Sequence, residues 1–255
     1  MRAEQVIRTL LALPELELRC QWLRFELERL PRDVAAVLLN ALCEQSERGS
    51  PSGREAMIPV ALCIVALGDC ELTDELRIQA QRDTLLSLDR LLRRGPAPEA
   101  SELGRDDVRV PDYGQGRELT LGERRSLARR PSRRAFERLL ADPHPLVVRQ
   151  LLTNPLLTED DVVKIAARRP ARPEVMRELA ASVRWLKSAR VRLALVHNPG
   201  SPEAVAVPLL ALCAPQELAS LLDSPDVPLV LRATALELLE RMPPLRSTGH
   251  DSTVQ

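Results

Sequence analysis

The sequence predicts an all-α protein in which an N-terminal helical domain is followed by a short α-solenoid, a stack of helical repeats. Three observations lead to this prediction. Apolar residues recur at spacings of three and four along most of the chain. No stretch alternates apolar and polar residues for long enough to indicate a strand. In the second half, one sequence motif occurs in two similar copies that lie 44 residues apart.

The N-terminal domain, residues 1–94, is predicted to hold five consecutive helices. Their ends are marked by Pro14, Pro31 and the turn-forming stretches RGSPSG and LGDCELT. The predicted helices span residues 4–13, 15–30, 32–45, 54–68 and 73–94.

Two segments lack helical periodicity. Glycine, proline and acidic residues dominate residues 95–117, which predicts a linker. The polar tail at 243–255 is predicted to be disordered. The repeats are therefore placed at 118–242, where Thr120 and Glu123 open the first helix with the spacing of a capping box.

The repeated phrase reads VVRQLLTNPLLTEDD at 147–161 and VRLALVHNPGSPEAV at 191–205. In each copy, proline after asparagine is expected to end one helix. Thr158 is then predicted to cap the next helix. In the second copy, Ser201 is predicted to cap, with Pro202 at the first helical position. We interpret Asn-Pro as a boundary between helices, not as a site for chemistry.

The helix after Thr158 is predicted to present an apolar face made of Val162, Val163, Ile165 and Ala166. Prolines that introduce similar phrases lie 39, 44 or 45 residues apart when every second one is counted. Periods near 40 to 47 residues are typical of HEAT and armadillo arrays.

The units VRQLLTNPLLTEDDVVKIA and VRLALVHNPGSPEAVAVPL resemble the leucine-rich-variant repeat of bacterial proteins, a relative of the HEAT repeat. The resemblance covers residues 129–240 and implies a right-handed stack of short helices with a role in protein interaction. This chain departs from the pattern in its unequal unit lengths, with a longer helical insert at 181–196. No functional residue is carried over.

The chain offers little for catalysis. Its histidines, His144, His197 and His250, are scattered, and no Gly-x-Ser-x-Gly, glycine-rich phosphate loop or His-Glu-x-x-His motif is present. We therefore expect that the protein is not an enzyme and has no catalytic residues.

The five cysteines are Cys20, Cys43, Cys63, Cys70 and Cys213. Some proteins with the leucine-rich-variant repeat carry an N-terminal iron–sulfur cluster, but this sequence has no Cys-x-x-Cys pair. We expect reduced, buried thiols, with no metal and no cofactor.

The N-terminus holds acidic residues where a signal peptide would have none, and the longest apolar run, 57–68, is too short to span a bilayer. These features predict a cytoplasmic protein that does not insert into a membrane.

Charge is distributed unevenly along the chain. Residues 117–192 hold 18 basic and 9 acidic side chains, whereas the flanking segments are net acidic. The arginine-rich segment, residues 117–138, is the candidate partner-binding surface. Its proposed contact residues are Arg124, Arg125, Arg129, Arg130, Arg133, Arg134 and Arg138.

Guanidinium groups suit carboxylates and phosphates alike. We expect a non-catalytic scaffold or adaptor that binds an acidic protein partner through the surface of the helical-repeat domain, where the arginine-rich segment supplies orientation and apolar grooves supply affinity. A solvated helix face without a partner, neutralised by the acidic N-terminal part, is one alternative. A nucleic-acid-binding module that uses the same arginines is the other alternative. The chain has few aromatic side chains on which the bases of a single strand could stack.

Overall fold

Sixteen α-helices and one short 3₁₀ turn form the secondary structure of residues 2–95, 110–114, 116–130 and 132–242, the residues that this computed structural model describes. No β-strand occurs among them. The prediction of an all-α protein is therefore confirmed. The predicted tail and most of the predicted linker lie outside the described residues.

The described N-terminal part has six helices where five were predicted, because the helix predicted at 73–94 is split. Thr84 lies in the left-handed region with a φ of 54°, and the Leu85 N–H donates to the Ala80 carbonyl at 2.8 Å. This turn ends a helix without glycine or proline, so the apolar pattern gives no sign of it. The helices are α1 (Ala3–Ala12), α2 (Leu16–Arg29), α3 (Arg32–Glu47), α4 (Pro51–Leu67), α5 (Glu71–Arg82) and α6 (Leu86–Leu91).

The short helix α6 begins without a capping side chain of its own. Asn40 of α3 supplies the acceptor instead: its Oδ1 accepts from the backbone N–H groups of Ser87 and Leu88, both at 3.1 Å. The first N–H groups of a helix lack partners within the helix. The buried Asn40 therefore allows α6 to form where the local sequence has no capping signal.

The described C-terminal part has ten helices. They are α7 (Leu121–Arg129), α8 (Phe136–Leu140), α9 (Pro145–Leu152), α10 (Glu159–Ala167), α11 (Pro173–Ala180), α12 (Val183–Leu186), α13 (Ala189–Val196), α14 (Glu203–Leu210), α15 (Pro215–Leu222) and α16 (Leu229–Arg241). In three successive groups the first helix packs against the last: α7 against α9, α10 against α13, and α14 against α16. The groups contain three, four and three helices, so a regular solenoid stays a prediction.

The repeated Asn-Pro phrase makes the same hydrogen bonds at both junctions. The Asn154 Nδ2 donates to the carbonyls of Ala128 (2.7 Å) and Arg130 (2.9 Å) at the end of α7. Its Oδ1 accepts from the Leu156 N–H at 3.0 Å. Asn198 likewise donates to two carbonyls at the end of α10 and accepts from the N–H two residues further along. Each asparagine thus satisfies helix-end carbonyls that lack partners within the helix.

The capping residues after the two phrases differ. Thr158 caps α10 as predicted, since its Oγ1 accepts from the Asp161 N–H at 3.3 Å. The prediction that Ser201 caps α14 is wrong: Pro202 holds the capping position, and the Ser201 hydroxyl is buried with no hydrogen-bond partner among the described residues. At the Ser201 position the first copy has the buried Leu157, so this position faces the core.

A hydrophobic core runs through the C-terminal helices. Of the residues predicted for the apolar face of α10, Val162, Ile165 and Ala166 are buried. Val163 is half-buried and packs at the edge of the same core. The face prediction is thus confirmed for three residues and holds in part for the fourth.

The N-terminal and C-terminal parts pack against each other. α4 contacts α14, and Leu62 and Val65 of α4 belong to the C-terminal core. Arg93 Nη1 lies 2.7 Å from Glu237 Oε1 of α16. The domain boundaries at 94 and 118 stay a prediction, but the two parts share an extensive contact.

No helix among the described residues is by itself long and apolar enough to cross a membrane. Only α4 and α5 taken together reach the required length and composition, and these helices are bent by 119° at the break between them.

Candidate functional site

The arginine-rich segment folds as two helices joined by a short turn. Thr120 and Glu123 form the predicted capping box at the start of α7, with the Thr120 N–H donating to Glu123 at 2.9 Å. α7 ends before Pro131, and the 3₁₀ turn Arg133–Ala135 leads into α8. The predicted contact arginines are therefore distributed around two helices and a turn.

Arg124 points into the protein. Its side chain is 8 % exposed and its Nη1 lies 2.6 Å from an oxygen of Asp142, whose side chain is fully buried. Asp142 also accepts from the Tyr113 hydroxyl at 2.6 Å and from the His144 N–H at 2.9 Å. Burial and the hydrogen bond to Asp142 raise the pKa of Tyr113. Because its guanidinium is held internally, Arg124 has no place on a binding surface.

Arg133 has partners within the protein although its side chain is 51 % exposed. Its guanidinium pairs with Asp161, donates to the Leu156 carbonyl at 3.0 Å and lies 4.7 Å from the ring centroid of the buried Phe136. Burial alone would raise the pKa of the Asp161 carboxyl, but hydrogen bonds from Arg133 and Thr158 hold it below its ordinary value. Arg133 thus ties the 3₁₀ turn to the start of α10.

Arg138 fixes the stretch that was predicted as a linker. Its Nη1 donates to the Tyr113 carbonyl at 3.1 Å. Together with the hydrogen bond from Tyr113 to Asp142, this contact anchors residues 110–114 to the first helical group. Tyr113 is buried, so this end of the predicted linker is part of the folded protein.

The side chains of the remaining four predicted residues make neither an ion pair nor a hydrogen bond with any described residue. Arg129, Arg130 and Arg134 are exposed and Arg125 is half-buried. The Arg125 Nε is buried without a hydrogen-bond partner in the described part of the chain.

An exposed leucine lies beside these arginines. Asn154 donates to the Arg130 carbonyl, and Arg133 donates to the carbonyl of Leu156. The turn that carries Leu156 therefore lies against Arg130 and Arg133. The Leu156 residue is 39 % exposed. We call Arg125, Arg129, Arg130, Arg134 and Leu156 together the arginine surface.

Acidic side chains near the arginine surface are few. Glu123 is already paired with Arg117 at 2.5 Å, and Asp161 with Arg133. Glu137 on α8 is exposed and forms no ion pair with a described residue. The surface therefore keeps an excess of positive charge, which an acidic partner would neutralise.

The histidines in the described residues lie at helix ends. His144 Nδ1 accepts from the Leu146 N–H at 3.2 Å and so caps α9. Burial, together with the charge of Arg124, lowers the pKa of His144. His197 ends α13, and burial and Arg169 lower its pKa. Both positions are structural boundaries.

The cysteines are free, and all but the half-buried Cys70 are buried. Burial is the main cause that raises the pKa of Cys20 to about 11 and the pKa values of Cys63 and Cys213 to about 12. Among the described residues no three His, Cys, Asp or Glu side chains are placed to hold a metal ion.

The sequence did not reveal the residues that bind some of the arginines of this segment and leave the others without a partner. Asp142 and Tyr113 hold Arg124 and Arg138, and both lie in stretches without helical periodicity. The only sequence signal at Asp142 is the Asp-Pro-His-Pro run, which separates one helix from the next.

No protein family, no curated protein and no solved structure matches this chain.

Proposed function

We propose that this chain is a non-catalytic scaffold or adaptor that binds an acidic protein partner through the arginine surface. The observation that carries the proposal is the division of the arginine-rich segment. Arg124 and Arg133 are ion-paired with Asp142 and Asp161. Arg138 is exposed and makes no ion pair with a described residue, but it donates to the Tyr113 carbonyl. Arg125, Arg129, Arg130 and Arg134 make no ion pair with a described residue.

The mixture of arginine and leucine favours a protein partner over nucleic acid. Arginine is enriched among the residues that dominate protein interfaces, and Leu156 adds exposed apolar area next to Arg130 and Arg133. The one aromatic residue of the segment, Phe136, is buried beneath Arg133 and has no face to stack on a base.

The resemblance to leucine-rich-variant repeats supports the same proposal. The two asparagine junctions make equivalent hydrogen bonds to the helix group before them. Such reuse of one junction is expected of a repeat protein, and repeat proteins commonly bind partners along extended surfaces.

The test compares two variants with the same net charge. In the first, Arg125, Arg129, Arg130 and Arg134 are replaced by glutamine. The control replaces four exposed arginines elsewhere that make no ion pair with a described residue: Arg8, Arg82, Arg177 and Arg241. Each tagged variant and the parent chain are used to capture partners from the native cell extract, with and without nuclease.

We expect the parent chain and the control variant to retain the same acidic protein after nuclease treatment, while the arginine-surface variant loses it. The proposal fails if the arginine-surface variant captures as much of that protein as the control does. Capture that disappears with nuclease would instead assign the surface to nucleic acid. In that case duplex binding should also weaken steeply with salt.

A further inference from the structure

A cavity of about 820 Å³ lies between the N-terminal and C-terminal parts of the protein. α3, α4 and α6 form one side, and the other side is formed by α13 to α16. Small-molecule sites typically enclose about 300–1,000 Å³ and are mostly apolar with a few polar groups. None of the residues of the arginine surface lines it.

One part of the cavity wall is apolar. Ile58, Ala211, Leu212 and Met242 line it and are half-buried, so each presents some apolar surface to the cavity. An apolar ligand body of moderate length would therefore contact a preformed wall.

The acidic groups of the lining already have partners. Glu47 accepts from Arg90 at 2.9 Å and from the Ser87 hydroxyl at 2.9 Å. Glu217 accepts from the Ala214 N–H at 2.7 Å. Glu217 makes no ion pair with a described residue, but the lining holds three arginines against these two glutamates and so keeps a net positive charge.

Two lining arginines make no ion pair with any described residue. Arg54 is exposed at the edge of the cavity. Arg192 is half-buried, and its Nη1 donates only to the backbone carbonyls of Leu186 (2.8 Å) and Lys187 (2.9 Å). Burial lowers the pKa of Arg192, and the nearby Cys213 and Glu217 offset this only in part.

From the apolar wall and the two unpaired guanidinium groups, we propose that this cavity binds small apolar carboxylic acids of the medium-chain fatty-acid type. The hydrocarbon body would cover Ile58, Leu212 and Met242. The carboxylate would pair with Arg192 and Arg54, because a guanidinium group donates two parallel hydrogen bonds to a carboxylate.

The probe is decanoate, titrated into the full chain in a calorimeter below its micellar concentration, with its uncharged methyl ester as the ligand control. Arg54→Gln removes one cation and should leave the fold intact, since this exposed side chain makes no ion pair or side-chain hydrogen bond with another described residue. Arg82→Gln, at an exposed position away from the cavity, is its matched control.

A second pair of variants tests whether the ligand occupies this cavity. Ala189 is exposed and lines the cavity, so Ala189→Trp places an indole in its mouth. Ala167 is exposed at the end of α10 and does not line the cavity, so Ala167→Trp controls for a surface tryptophan.

We expect one decanoate to bind per chain and the ester to bind about tenfold or more weakly, a difference of about 1.4 kcal/mol. Arg54→Gln and Ala189→Trp should each weaken decanoate binding by a similar factor or more, while both controls bind as the parent does. The inference is overturned if decanoate does not bind, if the ester binds equally well, or if Ala189→Trp leaves the affinity unchanged.

Discussion

Replacing Asn154 with alanine removes three hydrogen bonds at once from a buried junction. The side chain donates to the carbonyls of Ala128 and Arg130 and accepts from the Leu156 N–H, and the residue is 2 % exposed. A net contribution of about 1 kcal/mol per hydrogen bond gives a loss of about 3 kcal/mol. For a chain of this size that corresponds to a fall in Tm of about 6–12 °C.

Asn154→Asp should be at least as harmful. It keeps the shape and the acceptor of asparagine but turns the donor toward Ala128 and Arg130 into a carboxylate that faces two carbonyl oxygens. The twin position makes the same contacts, so Asn198→Ala should cost a similar amount.

Thermal unfolding followed by circular dichroism measures these losses. Thr153→Ala is the control, since Thr153 is exposed and its hydroxyl bonds only within its own helix turn, and it should change stability by less than about 0.5 kcal/mol. If Asn154→Ala melts within 2 °C or so of Thr153→Ala, the junction does not carry the stability assigned to it.

Further predictions concern the start of α10 and the cysteines. Thr158→Ala should cost about 1 kcal/mol in chemical denaturation, because it removes the cap seen at Asp161. Val162→Asp should cost about 4 kcal/mol or more, since it buries an unpaired carboxylate at a fully buried position; soluble protein of unchanged Tm would contradict this. The lowered pKa of Asp161 means that its stabilising contribution is present above the unfolded pKa and is lost as the pH falls through the folded pKa. Asp161→Asn should therefore destabilise at neutral pH, and the difference from the parent chain should narrow in acid. In native protein, a thiol reagent should label Cys70 faster than the four buried cysteines, and equal rates for all five would contradict their burial.

Sequence reasoning was most successful where the deciding interactions are local. The helices follow from apolar spacing, and the caps at Thr120 and Thr158 follow from residues three apart. The prediction of helix ends failed where a contact between residues far apart in the sequence sets the end or the start of a helix. The split at Thr84 has no local signal, and α6 is capped by Asn40 from another helix.

The same distinction explains the candidate site. The sequence identified the arginine-rich segment by its charge, but charge alone does not tell which guanidinium groups have internal partners. Arg124 meets Asp142, 18 positions later, and Arg133 meets Asp161, 28 positions later. The wrong prediction that Ser201 caps α14 has a different cause. When the two copies of the motif are aligned residue by residue, Pro202 and not Ser201 lies opposite Thr158, so the sequence already contained the correct position.

The central claim is that the arginine surface contacts an acidic protein, and site-specific photo-crosslinking tests it most directly. A photoreactive residue at Ser126, exposed on α7 between Arg125 and Arg129, is compared with one at Gln81, exposed on α5. Irradiation in native cells should join Ser126 to an acidic protein and leave the Gln81 variant without that adduct. An adduct with nucleic acid at Ser126, or the same protein joined equally at both positions, would contradict the claim.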